Sequence, residues 1–370
     1  MKILIDFSVL ELPATGVAKV VAGLYGGVAR DFPDIVLEGV HRRRLVSDPP
    51  AGVRGERIGR YLTARLWRHY ALPLAARRAG DAFLHFPWNG GVPSLPHSVR
   101  VITTLHDVLP LTIPGYFSSS ETEDHYRRHR QRDIDRSTLV VTDSEFSKRE
   151  IMQHLRVRRE PVVIPCATSI ADVAPGPGPG GKSYFLYVGG LDPRKSVDSL
   201  LRVFYRLSAD GALRSTLVVT GSSRHAPPPL VALLNEGVRR GCVELTGYVD
   251  DRALAGLYAG AIALVYPSRY EGFGMPPLEA MTIGCPVIAT RSSSIPEVCG
   301  DAAYYVDPWS ERGLAEALRV FEQNGDLRLR FGRDGMRRAA AFSWRRAAET
   351  FVRILQECAA GSRDITPGPP

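Results

Sequence analysis

The segment Tyr184-Phe-Leu-Tyr-Val-Gly-Gly-Leu-Asp-Pro-Arg-Lys-Ser-Val-Asp-Ser-Leu-Leu-Arg-Val-Phe-Tyr-Arg-Leu207 decides the fold. It opens on an apolar, β-prone run, Tyr184–Val188. Two glycines and a proline then break the chain, and apolar residues recur at helical spacing from Val197 to Leu207. Strand, turn and helix make one βα unit, with the strand ending at Gly189. Gly189 and Gly190 allow close backbone approach. Ser196 is expected to cap the helix, which brings Arg194 and Lys195 to its N-terminus. Helix N-termini attract anions through free N–H groups and the helix dipole. Two cations there read as a diphosphate site.

The same unit repeats outward along the chain. Strands are expected at Ile3–Phe7, Ile35–Val40, Phe83–Phe86, Arg100–Leu105, Leu139–Thr142 and Val162–Ile164. Six more follow at Tyr184–Val188, Leu217–Thr220, Val243–Leu245, Ile262–Tyr266, Val287–Ala289 and Ala303–Val306. Many are continuously apolar, which suits parallel strands buried on both faces. Strand–helix alternation predicts α/β doubly wound sheets. The run Ala174-Pro-Gly-Pro-Gly-Pro-Gly-Gly181 holds neither helix nor sheet. It predicts a Rossmann-like domain over 1–168, a linker over 169–182 and a second Rossmann-like domain over 183–342. A terminal helix over 343–360, free to cross back to the first domain, and a disordered tail over 361–370 complete the chain. Two such domains would enclose a cleft, with ligands outside the carboxyl ends of the strands. Further helix starts are expected at Asp250, Ser310 and Ser343, and Gly241 is expected to stop a helix.

At 370 residues, 44% hydrophobic and 23% charged, the chain buries a large core without staples. This excludes a disordered regulator, a fibrous chain and a mini-domain. Formal net charge is +8, and with five lysines, 42 of the 47 basic residues are arginine. Ten arginines against two acids lie between Arg42 and Arg78. Such a patch suits phosphate groups, an anionic membrane face or nucleic acid. No aromatic interleaving suggests a nucleic-acid binder, and none is expected as a partner. The five cysteines are scattered and form no CxxC pair, so they read as reduced thiols of a cytoplasmic protein. An acid at Asp6 interrupts any signal-peptide core. The longest apolar run, Leu254 to Tyr266, is 13 residues and too short to span a bilayer. Membrane contact would be peripheral, at the inner face.

Several motifs are decoys. Gly176 to Ser183 matches the P-loop pattern, but prolines remove the N–H groups that cradle phosphate, and a strand follows instead of a helix. Asp133-Ile-Asp135 imitates a metal-binding DxD but sits in a polar helical stretch, read as solvated. His125 and His129 share a helix face without a third ligand. No metal site is expected, no GxGxxG follows a strand, and no serine nucleophile elbow appears.

Other strand ends carry chemistry. Pro267-Ser-Arg-Tyr-Glu271-Gly-Phe-Gly-Met-Pro-Pro-Leu-Glu279-Ala places Glu271 in a glycine-rich loop and Glu279 in the following helix. A carboxylate accepts paired hydrogen bonds from vicinal hydroxyls, so each suits a sugar or a ribose. Backbone N–H groups near Gly272, Phe273, Gly274 and Met275 are available to a sugar or phosphate. The turns at Gly221 and Gly247-Tyr248 flank a site for a base. In the first half, Gly16 opens a helix, and His106 beside Asp107 ends a strand.

The strings EGFGMPPLEAMTIGCPVIAT, VGGLDPRKSVDSLL, TGYVDDRALAGLYAGAIALVYPS and LHDVLPL resemble the family 4 retaining glycosyltransferases (glycosyl transferases group 1) of GT-B fold. The resemblance implies two Rossmann-like domains facing across a cleft and a nucleotide-diphosphate sugar donor, with GDP-mannose as the guess. The acceptor it implies is a glycan, a lipid-linked molecule or a natural product. It implies that no metal or other cofactor is needed. Lys195 then binds the diphosphate, Glu271 the donor sugar and Glu279 the ribose. His106 lies beside the donor sugar, and Gly16 approaches it. Many members carry arginine where this chain has Gly190, so Arg194 is inferred to supply the second cation. With no residue marked as a nucleophile, same-face attack is favoured, the leaving phosphate taking the acceptor's proton. The alternatives are a nucleotide-sugar epimerase of GT-B-like fold and a basic protein that binds a membrane peripherally or nucleic acid.

Overall fold

The computed structural model describes residues 1–11, 16–80, 82–96, 98–176, 183–222 and 226–361. Residues 177–182, the second part of the expected linker and most of the P-loop decoy, lie outside the described residues, as do 12–15 and the tail 362–370. The chain divides into two compact units. One is Met1–Ala167 with the C-terminal segment from Phe342, and the other is Thr168–Ala341.

In the first unit, seven parallel strands are ordered β3-β2-β1-β4-β5-β6-β7 among the described residues. They are β1 Lys2–Asp6, β2 Val36–His41, β3 Arg54–Arg57, β4 Ala82–Phe86, β5 Arg100–Thr104, β6 Leu139–Thr142 and β7 Val162–Val163. Strand β3 is an addition to the expected set: Arg-Gly-Glu-Arg is exposed at every position and carries no apolar signal. It forms because Glu38–His41 of β2 offers an open edge in register with Arg54–Arg57. Ile3, Ile5, Phe83, Ile102 and Val141 share one core with Phe351, Ile354 and Leu355 of the terminal helix Trp344–Ala359. Two glycines of the helix Gly16–Asp31 make that packing possible. A Cβ at Gly23 would lie 2.0 Å from the Trp344 ring, and one at Gly27 2.9 Å from the Trp344 carbonyl. The terminal helix is therefore built into the first unit.

The second unit repeats the winding with six parallel strands, β10-β9-β8-β11-β12-β13. They are β8 Tyr184–Val188, β9 Thr216–Thr220, β10 Val243–Gly247, β11 Leu264–Tyr266, β12 Val287–Thr290 and β13 Ala303–Val306. Phe185, Leu217, Val265 and Ile288 pack against Leu200, Phe204, Leu318 and Phe321. Residues 168–176 pack on this unit: Ile170 is buried, and the Gly176 N–H donates to Arg252 O at 2.9 Å. Asp250, Ser310 and Ser343 cap their helices through side-chain oxygens. In both sheets the winding direction reverses beside the first strand, at β1/β4 and β8/β11, where open α/β sheets leave a crevice at their carboxyl ends. No helix among the described residues is long and apolar enough to cross a membrane.

Candidate functional site

In the second unit, β8 and β9 end on glycines that meet backbone to backbone. Gly189 has φ +146° and Gly221 φ +134°, both beyond ordinary L-residues, and a Cβ at Gly221 would lie 2.0 Å from the Gly189 carbonyl. The chain then tightens into a 3₁₀ turn, Pro193–Lys195, which leaves Ser196 at φ +52°. Here the expected cap fails. In that left-handed conformation the Ser196 hydroxyl reaches no N–H of the helix Val197–Ala209, and its Oγ is buried without a partner. The turn instead directs Lys195 inward, where it is buried.

Lys195 Nζ donates to the Tyr266 hydroxyl at 2.7 Å and makes a close ion pair with Glu271. The Tyr266 hydroxyl donates to Glu271 Oε1 at 2.8 Å. Arg194 Nη1 lies 3.2 Å from Glu271 Oε2 and donates to Tyr270 O at 2.7 Å, while its Nε pairs with Asp192 at 2.8 Å. The two predicted cations and the first motif glutamate therefore form one cluster, with Lys195 and Glu271 buried and Arg194 partly exposed. Burial pushes the Glu271 carboxyl up, but Lys195 and Arg194 outweigh it and hold its pKa at about 2. The group is a carboxylate at neutral pH.

The loop bearing Glu271 is clamped by hydroxyls that sequence reading missed. Glu271 N–H donates to Ser293 Oγ at 2.9 Å, and Ser294 Oγ donates to Glu271 O at 2.9 Å and to Phe273 O at 2.6 Å. Ser293 takes φ +52°, a strained non-glycine conformation held by these bonds. The available signal was the hydroxyl run Ser292–Ser294 just after β12. Gly274, at φ +114°, turns the chain into the helix Met275–Ile283, whose N-terminus carries no side-chain cap. Glu279 is buried in that helix and accepts from the Tyr258 hydroxyl at 3.0 Å. Gly190 follows Gly189 in the turn, and Tyr187 OH donates to its carbonyl at 2.6 Å. Tyr248 stands on the surface beyond β10, 68% exposed.

In the first unit, Gly16 starts its helix, and a Cβ there would meet no atom within 4 Å. His106 follows β5. Its Nδ1 lies 2.6 Å from Asp143 Oδ2, its Nε2 3.2 Å from Pro87 O, and its N–H donates to Asn89 Oδ1 at 2.7 Å. Both ring nitrogens face oxygen, which favours the doubly protonated ring. Burial pushes His106 down, but Asp143, the Pro87 carbonyl and Asp107 outweigh it and raise its pKa above the ordinary 6.5. That sign makes the pair stabilising at acid and neutral pH, the contribution fading as pH rises through the folded pKa. Replacing Asp143 by Asn should bring the His106 titration down to or below 6.5, read from its ring resonances by NMR. An unmoved titration would show that Asp143 does not set it.

Asp133, expected on a solvated face, is buried and accepts from Gly91 N at 3.3 Å and Val92 N at 2.8 Å. Two backbone donors from the loop after β4 explain its burial. Asp135 stays exposed, and Gln131 donates to it at 3.0 Å. The His125 and His129 rings sit 4.3 Å apart. Among the described residues no three His, Cys, Asp or Glu side chains group as metal ligands.

A family model described as glycosyl transferases group 1 matches residues 182–324. The chain is 32% identical over 262 residues to the O-antigen chain mannosyltransferase B of Escherichia coli, covering 68% of each chain. It is 30% identical over 270 residues to the O-antigen chain mannosyltransferase RfbU of Salmonella typhimurium, covering 72% of this chain and 73% of that one. The crystal structure of Anabaena HepE in complex with UDP-glucose superposes with a TM-score of 0.72 at 16% identity, covering 96% of this chain and 100% of that one.

Proposed function

The chain belongs to the group 1 glycosyltransferases of GT-B fold, and from that footing we propose that it transfers mannose from GDP-mannose to a growing glycan with retention at the anomeric carbon and without a metal. The observation that carries the reading is the cluster of partly exposed Arg194 with buried Lys195 and Glu271 at the carboxyl end of β8 and β11. Two fixed cations beside a glycine-lined turn meet the need of a departing nucleoside diphosphate, on which negative charge develops. Mannose is supported by the named activity of both relatives, and a nucleotide-sugar donor by the UDP-glucose bound to HepE.

The cluster also suggests how the residues divide the work. Without donor, Arg194 and Lys195 are held by Glu271 and Asp192. An incoming diphosphate draws the cations from Glu271. The freed carboxylate then accepts from hydroxyls of the donor sugar, and Glu279 from those of the ribose. The bond between anomeric carbon and phosphate oxygen breaks as the acceptor oxygen attacks on the same face. The leaving phosphate takes the acceptor's proton. None of these groups serves as a covalent nucleophile. The acceptor is a glycan, free or lipid-linked, with natural products as a wider class. The exposed Tyr61, Leu66, Tyr70 and Leu74 among the arginines of 42–78 suit peripheral contact with an anionic membrane.

The test combines GDP-mannose, an oligomannose acceptor and EDTA. We expect an α-linked product from the α-linked donor, at unchanged rate in EDTA. Activity abolished by EDTA and restored by Mg²⁺ would overturn the metal-free reading, and a β-linked product would overturn retention. A thermal-shift series of GDP, UDP, ADP and dTDP with their sugars checks the donor, because a ligand bound only by the folded state raises its melting temperature.

A further inference from the structure

The first unit holds a second basic site, remote in sequence from the donor cluster. A cavity of about 170 Å³ is lined by Arg68, His69, His129, Arg132, Asp133 and Arg136. Its single carboxylate is already committed to Gly91 N–H and Val92 N–H, with Arg130 Nη1 3.2 Å away. Three arginines and two histidines therefore share a space with one carboxylate, which the turn's own N–H groups and Arg130 already hold.

The second observation is a set of orphaned donors. The Gly90–Gly91 turn lies between two guanidinium groups. A Cβ at Gly91 would meet Arg68 Nη1 at 2.2 Å, and one at Gly90 would meet Arg130 Nη1 at 3.8 Å. Arg68 Nε and Arg130 Nε are buried without a hydrogen-bond partner, Arg130 Nη1 has only its ion pair with Asp133, and Arg130 is only 8% exposed. Buried polar atoms are nearly always satisfied, and each exception calls for a cause. Two unsatisfied guanidinium donors beside one glycine turn, next to a cavity lined by three arginines and a single carboxylate, have the chemistry of a site for an oxyanion. Glycine at 91 suits the turn because its φ is +68°, a left-handed backbone that other residues rarely adopt.

We propose that this cavity binds a phosphate or diphosphate group of the acceptor. The assignment to the acceptor rests on the glycosyltransferase reading; the anion site itself does not. The path from the cavity to the rest of the acceptor runs through Arg68. Its guanidinium lies 5.4 Å from the Trp88 ring, and Trp88 Nε1 donates to Asp6 at 3.4 Å, at the carboxyl end of β1. Trp88 thus offers an aromatic face, next to the anion, for the first sugar. The phosphate comes either from a soluble glycosyl phosphate or from a lipid-linked glycan diphosphate.

Inorganic pyrophosphate is the probe, titrated calorimetrically into full-length Lys195→Ala protein so that the donor cluster is not counted. We expect saturable binding that weakens at least tenfold in Arg68→Gln and in Arg132→Gln. Arg132 is exposed, so its substitution leaves the fold intact, verified by an unchanged melting temperature. No binding, or equal binding in both variants, overturns the proposal. Nucleoside-diphosphate affinity of the wild-type protein is measured alongside. Its absence would sink the donor reading while leaving the pyrophosphate result to stand. Co-sedimentation with phosphatidylcholine vesicles doped with a polyprenyl diphosphate separates the sources. Pelleting that Arg132→Gln reduces supports the lipid-linked form, and pyrophosphate binding without pelleting supports the soluble one.

Discussion

Lys195→Ala should lower kcat/KM for transfer by roughly 10²–10³-fold, the usual consequence of losing one preorganised electrostatic contact to developing charge. The placement of the ammonium sets that size. It is buried and held by the Tyr266 hydroxyl at 2.7 Å, so it stands in place to meet a leaving phosphate once it parts from Glu271. Removing one partner of a buried ion pair commonly destabilises a protein by about 3–5 kcal/mol. Here the loss should be smaller, because Glu271 keeps Arg194 at 3.2 Å and the Tyr266 hydroxyl at 2.8 Å. Thermal denaturation beside steady-state kinetics separates the two effects. A folded variant with near-wild-type turnover would remove Lys195 from the site.

The fold was readable because buried parallel strands leave continuous apolar runs and their helices leave capping residues. The exceptions have local causes. Strand β3 is four polar, exposed residues held by edge pairing, so no hydrophobic pattern marks it. Ser196 looks like a helix cap in sequence, yet the 3₁₀ turn before it sets a left-handed backbone in which its side chain cannot cap. The site was legible where chemistry sits in one stretch, as with Arg194 and Lys195 or Glu271 and Glu279. It was illegible where partners are distant. Asp143 lies 37 positions from the His106 it charges, and Ser294 21 from the Phe273 carbonyl it binds. Tyr258 and Tyr266 read as core aromatics. Only the fold shows their hydroxyls on the two motif glutamates. The orphaned guanidinium donors of Arg68 and Arg130 have no sequence signature at all.

Glu271→Gln should split binding from transfer. In the free enzyme the carboxylate neutralises the cations that a donor needs. Its replacement by a neutral isostere leaves Arg194 and Lys195 with Asp192 as their remaining acid in the cluster. Nucleoside-diphosphate affinity should therefore rise, by roughly tenfold if the change is worth about 1.4 kcal/mol. Transfer should nonetheless fall by about 10–100-fold, the value of one charge-assisted hydrogen bond to the sugar of about 1.5–3 kcal/mol. The same carboxylate predicts an acid limb of stability. Its folded pKa of about 2 lies below the ordinary 4.5, so its contribution is complete above 4.5 and drains away as pH falls toward 2. In Glu271→Gln that part of the pH dependence should vanish while the remainder of the acid limb persists. Weaker nucleotide binding together with an unchanged acid limb would mean that Glu271 does not hold the cations in the free enzyme. The displacement of carboxylate by diphosphate would then have to be abandoned.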